Sequence, residues 1–236
     1  MNLNLLILAG YDTSTEVTRE AVKVLERVAN KFGHKLELNE ALLGGIAIHK
    51  TGGPLPGETV EKALAADATL MGAVGLPEFD QVAPEKRPEK GLLGLRKALG
   101  VYANLRPVRA YPALVESSPL KNHLVEGTDL IIVRELTGGL YYGTPRGISG
   151  EGAEERAVNT MTYTRAEIER VARVAFHLAR QRRKKLTSVD KSNVLENSQF
   201  WRRVVVEVAS ELPDVELDHI LVDNCAMQLV LNPKRF

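Results

Sequence analysis

Apolar runs alternate with amphipathic stretches along the first hundred residues of the chain. Residues 3–9 form a nearly continuous apolar run, which is typical of a strand buried on both faces. Residues 35–42 alternate as a strand, and residues 68–74 form another apolar strand. Apolar positions at helical intervals across residues 17–28, and the pattern of residues 57–66, predict helices between these strands. This order predicts a βαβ unit and therefore an α/β fold.

Loop-forming residues interrupt this pattern twice. Glycines and prolines across residues 44–56 predict a loop. The polar segment 77–91, which carries three prolines, predicts a loop that enters a helix at residues 92–99.

The pattern changes after about one hundred residues. Residues 129–136 (DLIIVREL) predict a strong strand. Two shorter strand candidates, residues 140–143 and 157–163, flank a glycine-rich acidic stretch and predict an arm or hairpin. Thr164 opens the clearest helix, because Thr164 and Glu167 have the spacing of a capping box. Strand, helix, strand and short helix are then predicted at residues 186–189, 194–212, 215–222 and 226–231.

The composition is that of an ordinary globular protein. Of 236 residues, 44% are hydrophobic and 26% are charged, which excludes a disordered or collagen-like chain. The net charge of +1 gives no reason to expect a nucleic-acid or membrane partner. No apolar run approaches the roughly 20 residues that span a bilayer, and the first residues do not resemble a signal peptide. The single cysteine, Cys225, fits a reducing compartment, so we expect a cytoplasmic protein.

Three arginines each follow an apolar or helical element. They are Arg96 in LLGLRK, Arg106 in ANLRP and Arg134 in IIVREL. Arg134 ends a strand that should be buried, and a buried guanidinium needs an anionic partner. Because guanidinium groups bind carboxylates bidentately, three converging arginines would suit a dicarboxylic ligand. From spacing alone, three separate structural salt bridges are the commoner arrangement.

Three further sites in the sequence could carry chemistry. Lys191, where a strand passes into a helix in SVDKSNVLE, could act as a general base, although a solvated loop lysine is commoner. In GGLYYG, Tyr141 and Tyr142 point to opposite faces if the segment is a strand, so one could contact a ligand. Asp223 in VDNCAM could bind a hard metal ion, or it could cap the next helix.

Seven segments stand out by their length, order and specificity. They are PEKGLLGLRKAL, ANLRPVRAYP, VRELTGGLYYGTPRG, TYTRAEIERVARVAF, SVDKSNVLE, FWRRVVVEV and VDNCAMQLV. Together they resemble the metal-dependent β-decarboxylating dehydrogenases of the isocitrate/isopropylmalate dehydrogenase family, over essentially the whole chain. The resemblance implies the two-domain α/β fold of that family. Residues 1–102 would begin a doubly wound sheet domain on the cofactor side, and residues 103–236 would form the substrate, metal and dimerisation domain with its arm.

The resemblance also implies roles for the arginines, the tyrosine and the lysine. Arg96, Arg106 and Arg134 would clamp the carboxylates of a malate-type substrate. Tyr141 would donate a proton. Lys191 would be the general base and would act from the neighbouring subunit of a homodimer with shared active sites.

The implied activity is NAD-dependent oxidative decarboxylation of 3-isopropylmalate to 4-methyl-2-oxopentanoate in leucine biosynthesis. Asp223 would contact the substrate and ligate Mg²⁺ or Mn²⁺, also across the dimer, and the ion would polarise the carbonyl oxygen of the intermediate. Asn193 and Val194 would contact the nicotinamide of NAD and the substrate.

Three residues before Arg96 would set the substrate preference in this resemblance. Leu92 and Leu93 suit an isopropyl group, because burying apolar surface is favourable and a carboxylate there would be desolvated and unpaired. Glu89 lies on the same approach, where it would contact substrate and cofactor and repel a third carboxylate.

Two departures from the family pattern keep alternatives open. The loop that usually reads GDGIGPE is GYDTSTE here, from Gly10 to Glu16. Threonine and serine adopt positive φ with difficulty, so we expect weaker cofactor placement. The chain also ends at NPKRF, before the part that supplies further metal-binding aspartates and the adenosine-binding loop in relatives. The alternatives are a non-catalytic fragment or assembly subunit that dimerises and binds malate-like anions weakly, or a relative acting on tartrate or malate.

Overall fold

The described part of the chain comprises residues 1–11 and 13–236, and of residue 85 the backbone alone, in a computed structural model. The chain divides into two units, residues 1–100 and residues 101–236, each with its own internal contacts. Within the described residues, no helix is both long enough and apolar enough to cross a membrane.

The first unit is built on a three-stranded parallel sheet. Its elements are β1 (Asn2–Leu8), α1 (Thr13–Lys31), β2 (Lys35–Glu40), α2 (Gly45–Thr51), α3 (Gly57–Ala65), β3 (Ala68–Met71) and α4 (Pro88–Ala98). The sheet order is β2-β1-β3, so β1 is central, with β2 on one side of it and β3 on the other. The core consists of Leu6, Leu8, Leu43, Ala63 and Leu95. The predicted βαβ unit is therefore confirmed.

Two segments of the first unit are more helical than their sequence predicts. The stretch of residues 44–56 is not wholly a loop, because it contains α2. Helix α4 begins at Pro88 rather than at residue 92. Proline is well suited to the first helical position, since its missing N–H would have no partner within the helix there.

The loop after β1 joins the ends of two strands. Residues 13–15 lie in the first turn of α1, so the expected difficulty with positive φ does not arise at these positions. Asp12 lies outside the described residues. The Ser14 hydroxyl donates a hydrogen bond to the Ala9 carbonyl at 2.8 Å and accepts one from the Ala73 amide at 2.6 Å. Ser14 thus connects the segment after β1 to the segment after β3.

Over its described residues, the second unit combines four α-helices with three pairs of strands. Its elements are β4 (Ala103–Arg109), α5 (Asn122–Val125), β5 (Asp129–Glu135), β6 (Arg146–Ser149), β7 (Arg156–Asn159), α6 (Arg165–Arg180), β8 (Lys185–Asp190), α7 (Glu196–Ser210), β9 (Glu216–Leu221) and α8 (Val222–Leu231). Strands β4–β5 and β6–β7 pair antiparallel, and β8–β9 pair parallel. The core lies chiefly on α6 and α7, with Ile168, Phe176, Val204 and Val208 almost wholly buried.

The start of α6 has the predicted capping box. The Thr164 amide donates to the Glu167 carboxylate at 2.7 Å, and the Glu167 amide donates to the Thr164 hydroxyl at 3.3 Å. These bonds satisfy backbone donors that have no partner inside the helix. The capping box therefore fixes where α6 begins.

The predicted hairpin exists, but its strands differ from the prediction. Residues 140–143 are not a strand, because the chain forms a short 3₁₀ turn at Gly139–Tyr141. The partner of β7 is β6, which lies in the glycine-rich stretch that separates the two candidates in the prediction. Strand β4 is absent from the prediction altogether. Helix α8 begins at Val222, four residues earlier than predicted.

Candidate functional site

A cavity of about 520 Å³ opens in the second unit. It is lined by the carboxyl-terminal halves of β5 and β8, by the turn after β5 and by the first turns of α7 and α8. Its volume is within the range of about 300–1,000 Å³ that is usual for small-molecule sites. Arg134, Tyr141 and Lys191, three of the residues singled out in the sequence, lie in its wall.

At the carboxyl end of each of the two strands that line the cavity, a cationic residue is adjacent in sequence to a carboxylate. Glu135 follows Arg134 in β5, and Lys191 follows Asp190 at the end of β8. Successive side chains in a strand point to opposite faces. The carboxylate side chains of Glu135 and Asp190 are accordingly only 3% and 1% exposed, whereas Lys191 is 31% exposed. Arg134 is half-buried.

The carboxylate of Glu135 holds the turn after β5. It accepts hydrogen bonds from the Gly138 amide at 2.6 Å, the Thr137 hydroxyl at 3.2 Å and the Arg170 guanidinium at 3.1 Å. Arg170 also donates to the Thr137 hydroxyl at 2.7 Å. The charge of Glu135 is therefore compensated inside the protein, and the same bonds shape the turn that leads to Tyr141.

The carboxylate of Asp190 is compensated in the same way from α7. It accepts two hydrogen bonds from Arg202, at 2.9 and 3.0 Å, and one from the Ser192 amide at 2.9 Å. Burial by itself would raise the pKa of Asp190, but the hydrogen bonds from Arg202 and Ser192 outweigh it, and the pKa is lowered. Asp190 therefore remains ionised and engaged with the protein.

Arg134 faces an aromatic ring rather than a carboxylate. Its guanidinium carbon lies 5.4 Å from the ring centre of Tyr141, within the range of cation–π contacts. No ion pair of Arg134 occurs among the described residues, so the anionic partner expected from the sequence is not a side chain of that part of the chain. Tyr141 lies on the 3₁₀ turn and is 52% exposed. A guanidinium without a carboxylate in a cavity wall suits an anionic ligand.

Arg106 lies on the same face of the β4–β5 pair as Arg134. In this antiparallel pair Asn104 is opposite Arg134, and Arg106 is opposite Ile132. Arg106 and Arg134 are therefore diagonal neighbours, whose Cβ atoms in such pairs are about 7–8 Å apart. The Arg106 guanidinium donates to the Asn104 side chain at 2.7 Å. The structure thus brings together two of the three arginines, although Arg106 is not among the described residues that line the cavity.

The third arginine belongs to the first unit, on α4. Glu89, Leu92, Leu93 and Arg96 are spaced by three or four residues, so they share one face of this helix. The buried positions of α4 are Pro88, Gly91 and Leu95. Leu92, Leu93 and Arg96 are half-buried and Glu89 is exposed. The three residues singled out for substrate preference therefore share one surface of this helix with Arg96.

The strand order of the first unit indicates where a ligand would bind. In an open parallel sheet, ligands bind at the carboxyl ends of the strands where the strand order reverses, which here is at β1. Two glycines allow close packing at these strand ends. Gly10 has φ +79°, and a Cβ there would clash with the carbonyl of Ala73. A Cβ on Gly75 would lie 2.8 Å from a carboxylate oxygen of Glu89.

Lys191 forms an ion pair with Asp223 at the cavity. Its ammonium lies 2.6 Å from the Asp223 carboxylate, and the pKa of Asp223 is lowered by this hydrogen bond and then by a backbone hydrogen bond. The Asp223 side chain is 65% exposed, so the pair adds little stability. Asp223 does not cap α8, because the N-cap position is Leu221. Asn193 and Val194 are exposed on the turn after Lys191.

The described residues do not complete a metal site. Among them, no group of three or more His, Cys, Asp or Glu side chains is placed to hold a metal ion. Asp223 offers one carboxylate, and that carboxylate is already paired with Lys191. Mg²⁺ requires near-octahedral oxygen ligands. Asp223 could therefore supply one ligand, and the others would have to come from elsewhere.

The cavity wall also contains Glu135, Asp190 and Tyr163, which are not singled out in the sequence. A carboxylate at the end of an apolar strand is a usable signal, since burying it requires a partner. Burial raises the pKa of Tyr163, and the neighbouring charge of Glu135 raises it further. Tyr163 also contacts Trp201 edge-to-face, with ring centres 5.5 Å apart. Nothing in the local sequence pattern indicates this contact.

The fold and the cavity together define an α/β protein with a basic, small-molecule-sized site. A profile described as isocitrate/isopropylmalate dehydrogenase matches residues 4–236. The 3-isopropylmalate dehydrogenase of Aquifex aeolicus is 53% identical over 230 residues, which cover 98% of this chain and 63% of that protein. That of Geobacillus kaustophilus is 54% identical over 235 residues, covering 100% of this chain and 63% of that protein.

A solved structure is similar over the same span. The crystal structure of isocitrate dehydrogenase from Methylococcus capsulatus matches with a TM-score of 0.85 and 30% identity, covering 99% of this chain and 65% of that one. The chain therefore belongs to the isocitrate/isopropylmalate dehydrogenase family, and the predicted family and fold class are confirmed. The chain spans about 63% of the length of the two curated relatives.

Proposed function

We propose that the chain acts in the cytoplasm as the NAD-dependent dehydrogenase that converts 3-isopropylmalate to 4-methyl-2-oxopentanoate in leucine biosynthesis. The observation that carries the proposal is the single cavity whose wall contains Arg134, Tyr141 and Lys191. The names of relatives that are 53–54% identical over nearly the whole chain support the choice of substrate. The relatives are longer, so the activity is assigned to this chain as a proposal.

The two carboxylates of the substrate are the proposed ligands of the arginines. Arg134 and Arg106 lie on one face of the β4–β5 pair, and the Arg134 guanidinium has no ion-pair partner in the described part of the chain. Arg96 on α4 is proposed as the third contact. Planar guanidinium groups bind carboxylates through two parallel hydrogen bonds, which fixes the orientation of the substrate as well as its charge.

Lys191 and Tyr141 carry the two proton transfers of the proposed reaction. Lys191 is the proposed acceptor of the proton of the substrate hydroxyl, which leaves as the hydride on the same carbon departs. NAD supplies the acceptor for this hydride. The β-keto acid then loses its C3 carboxylate as CO₂, and the electron pair left behind forms an enolate. The Tyr141 hydroxyl donates a proton to C3 and completes the product.

NAD and a divalent ion are the proposed cofactors. We place NAD at the strand ends of the first unit, with Glu89 and Asn193 as contacts, and Val194 against the substrate. The reversal of strand order at β1 supports the cofactor position, because ligands of open parallel sheets bind at such a point. For Mg²⁺ or Mn²⁺, Asp223 is the one proposed ligand in this chain.

A homodimer with shared active sites is the proposed assembly. All residues of the β6–β7 hairpin are exposed, including Ile148 at 72%. Helix α8 exposes Val222, Met227 and Val230 at about half of their surface. Apolar side chains exposed on an arm and along a helix are typical of interaction surfaces. This surface supports dimerisation through the second unit.

The assay that tests the proposal measures NADH formation by the 236-residue chain after its mass has been verified. We expect turnover with 3-isopropylmalate and Mn²⁺, and kcat/KM at least about tenfold lower with isocitrate, malate or tartrate. Preference for tartrate or malate would identify a relative with another substrate. Absence of NADH with every substrate would contradict the proposal and leave a non-catalytic fragment or assembly subunit, whose weak anion binding calorimetry would detect.

Substrate preference provides a second prediction, on α4. Leu92→Ser combined with Leu93→Ala should lower kcat/KM for 3-isopropylmalate by about tenfold or more, because the isopropyl group loses apolar contacts. Steady-state kinetics measures this change. The matched control is Leu64→Ser, which alters a leucine that is 60% exposed elsewhere in the first unit. An unchanged kcat/KM in the double variant would disprove the role of these leucines.

A further inference from the structure

The turn that carries Lys191 is attached to the protein at the residue before it. Asp190 is the last residue of β8, and its side chain is 1% exposed. One carboxylate oxygen accepts from the Ser192 amide at 2.9 Å, on the other side of Lys191. Two hydrogen bonds from Arg202 of α7 hold the same carboxylate. The residues on both sides of Lys191 are thus fixed through one buried group.

Arg202 belongs to a helix that the core holds firmly. Its near neighbours Val204 and Val205 are 0% and 3% exposed, and they pack against α6 in the main core cluster. The guanidinium approaches Asp190 with its Nε and one terminal nitrogen, which is the bidentate geometry that fixes direction as well as distance. Arg202 therefore transmits the position of a rigid helix to the end of β8.

The turn itself is completed by backbone hydrogen bonds to Lys191. The amides of Val194 and Leu195 both donate to the Lys191 carbonyl, at 3.1 and 3.0 Å. Together with the Ser192 bond, these contacts leave little freedom in the backbone from which the Lys191 side chain extends. The ion pair of Lys191 with Asp223 is largely exposed and does not provide comparable restraint.

We propose that Arg202 and Asp190 are positioning residues that fix the Lys191 turn in its working geometry. The inference rests on the proposed function of Lys191 in so far as that geometry serves catalysis. A role in general stability alone would loosen the whole unit when the pair is broken. A positioning role would loosen the turn first, because Arg202 and Asp190 restrain that segment directly.

Amide hydrogen exchange of the native chain distinguishes these two roles without requiring turnover. In Arg202→Met we expect exchange at Ser192, Val194 and Leu195 to accelerate by about tenfold or more. Exchange at amides of the β8–β9 ladder should accelerate by a factor at least about threefold smaller than at the turn. Arg202→Lys keeps the positive charge but cannot form both hydrogen bonds to Asp190, so it should give an intermediate exchange rate at the turn. The matched control is Arg203→Met, next on the same helix and exposed, which should leave the turn unchanged.

Two results would overturn the proposal. One is a uniform acceleration across β8, α6 and α7, which would mean a structural role only, and the other is no acceleration at the turn. If Arg202→Met does not fold, Asp190→Asn replaces it, because the amide keeps the shape but weakens the pair, and the same local pattern is expected.

Kinetics adds an arm that depends on the proposed function. Arg202→Met should lower kcat by about 100-fold, since misplacing a catalytic group by about 1 Å has an effect of that size. The KM for 3-isopropylmalate should stay within about threefold, because the arginines proposed to bind the carboxylates are untouched. If exchange in Arg202→Met accelerates at the turn but the unaltered chain shows no turnover, the positioning role is supported and the proposed function is contradicted. A fall in kcat matched by a rise in KM would contradict positioning.

Discussion

Replacing Lys191 by methionine is expected to reduce kcat for 3-isopropylmalate oxidation by about 10²–10⁴-fold, the usual contribution of a general base. Methionine keeps much of the length and apolar volume of the side chain but has no group that accepts a proton. The KM for the substrate should change little, because the proposed carboxylate contacts are arginines. Steady-state NADH formation measures both quantities.

The matched control for Lys191→Met is Lys23→Met, on α1. Lys23 is 61% exposed and pairs with Glu20 on the same helix, so its removal should leave kcat unchanged. A Lys191→Met variant with full activity would show that another group accepts the proton. Circular dichroism of both variants establishes that any loss of activity is not a loss of folding.

Mixing two inactive variants shows which subunit supplies Lys191. Within one chain, Lys191 and Tyr141 line the same cavity, whereas the proposed shared site pairs Tyr141 with the lysine of a second chain. If sites are shared, a mixed dimer of Lys191→Met and Tyr141→Phe contains one intact site, and an equal mixture should recover about a quarter of the activity. No recovery would assign Lys191 to the cavity of its own chain and contradict the shared site.

The strands that line the cavity were predictable because they are buried. Continuous apolar runs predict β5 and the strands of the first sheet, and the ends of β5 and β8 predict Arg134 and Lys191 as site residues. Strand β4 was not predictable in the same way, since most of its residues are exposed, its apolar alternation is short and it contains a proline. Hydrophobic pattern detects a strand through burial, so a solvent-facing strand leaves no such signal.

Hydrophobic periodicity predicted α1 but not the face that it buries. Val17 and Val24 of the predictive stripe are 69% and 63% exposed, whereas Ser14 and Thr18 are buried. Ser14 is buried because its hydroxyl joins Ala9 to Ala73, which is a contact between segments 59 residues apart. Such a polar contact, rather than the apolar stripe of α1, decides which side of the helix start is buried. Only the tertiary structure reveals this contact.

The conformation around Tyr141 depends on glycines and on a distant ring. Gly139 has φ +76°, and a Cβ there would overlap the Tyr163 hydroxyl, so the segment turns instead of continuing as a strand. The sequence GGLYYG contains the glycines but not the identity of the ring that packs on them. The sequence likewise does not identify the partners of Glu135 and Asp190. These partners, Arg170 and Arg202, are distant in sequence and lie on α6 and α7.

Breaking the ion pair between Arg170 and the buried carboxylate of Glu135 should lower the stability of the protein strongly. The loss should depend markedly on which of the two partners is replaced. Arg170→Met leaves the Glu135 carboxylate 3% exposed with only neutral donors, and stranding a buried charge costs about 3–5 kcal/mol. The Arg170 side chain is 35% exposed, so solvent already weakens the pair. We therefore expect a loss of about 2–3 kcal/mol in the free energy of unfolding.

Glu135→Gln should cost less, about 1 kcal/mol, because the remaining arginine can reach water. Arg170 also keeps its stacking on Tyr102, whose ring centre lies 4.7 Å from the guanidinium carbon. Urea unfolding followed by fluorescence of Trp201, the one tryptophan of the chain, measures both variants in the second unit. Arg173→Met is the matched control. Arg173 lies on the same helix as Arg170 and pairs with Glu211 at the surface, so breaking that pair should cost less than about 1 kcal/mol.

The double variant tests whether charge burial is the cause of this asymmetry. With glutamine at 135, no carboxylate is left stranded, so Arg170→Met in that background should cost less than it does alone. The Nε of Arg170 is buried without a hydrogen-bond partner among the described residues, and its removal relieves that cost in both backgrounds. Equal costs in the two backgrounds would mean that packing around the arginine, rather than the charge of Glu135, stabilises the turn that leads to Tyr141.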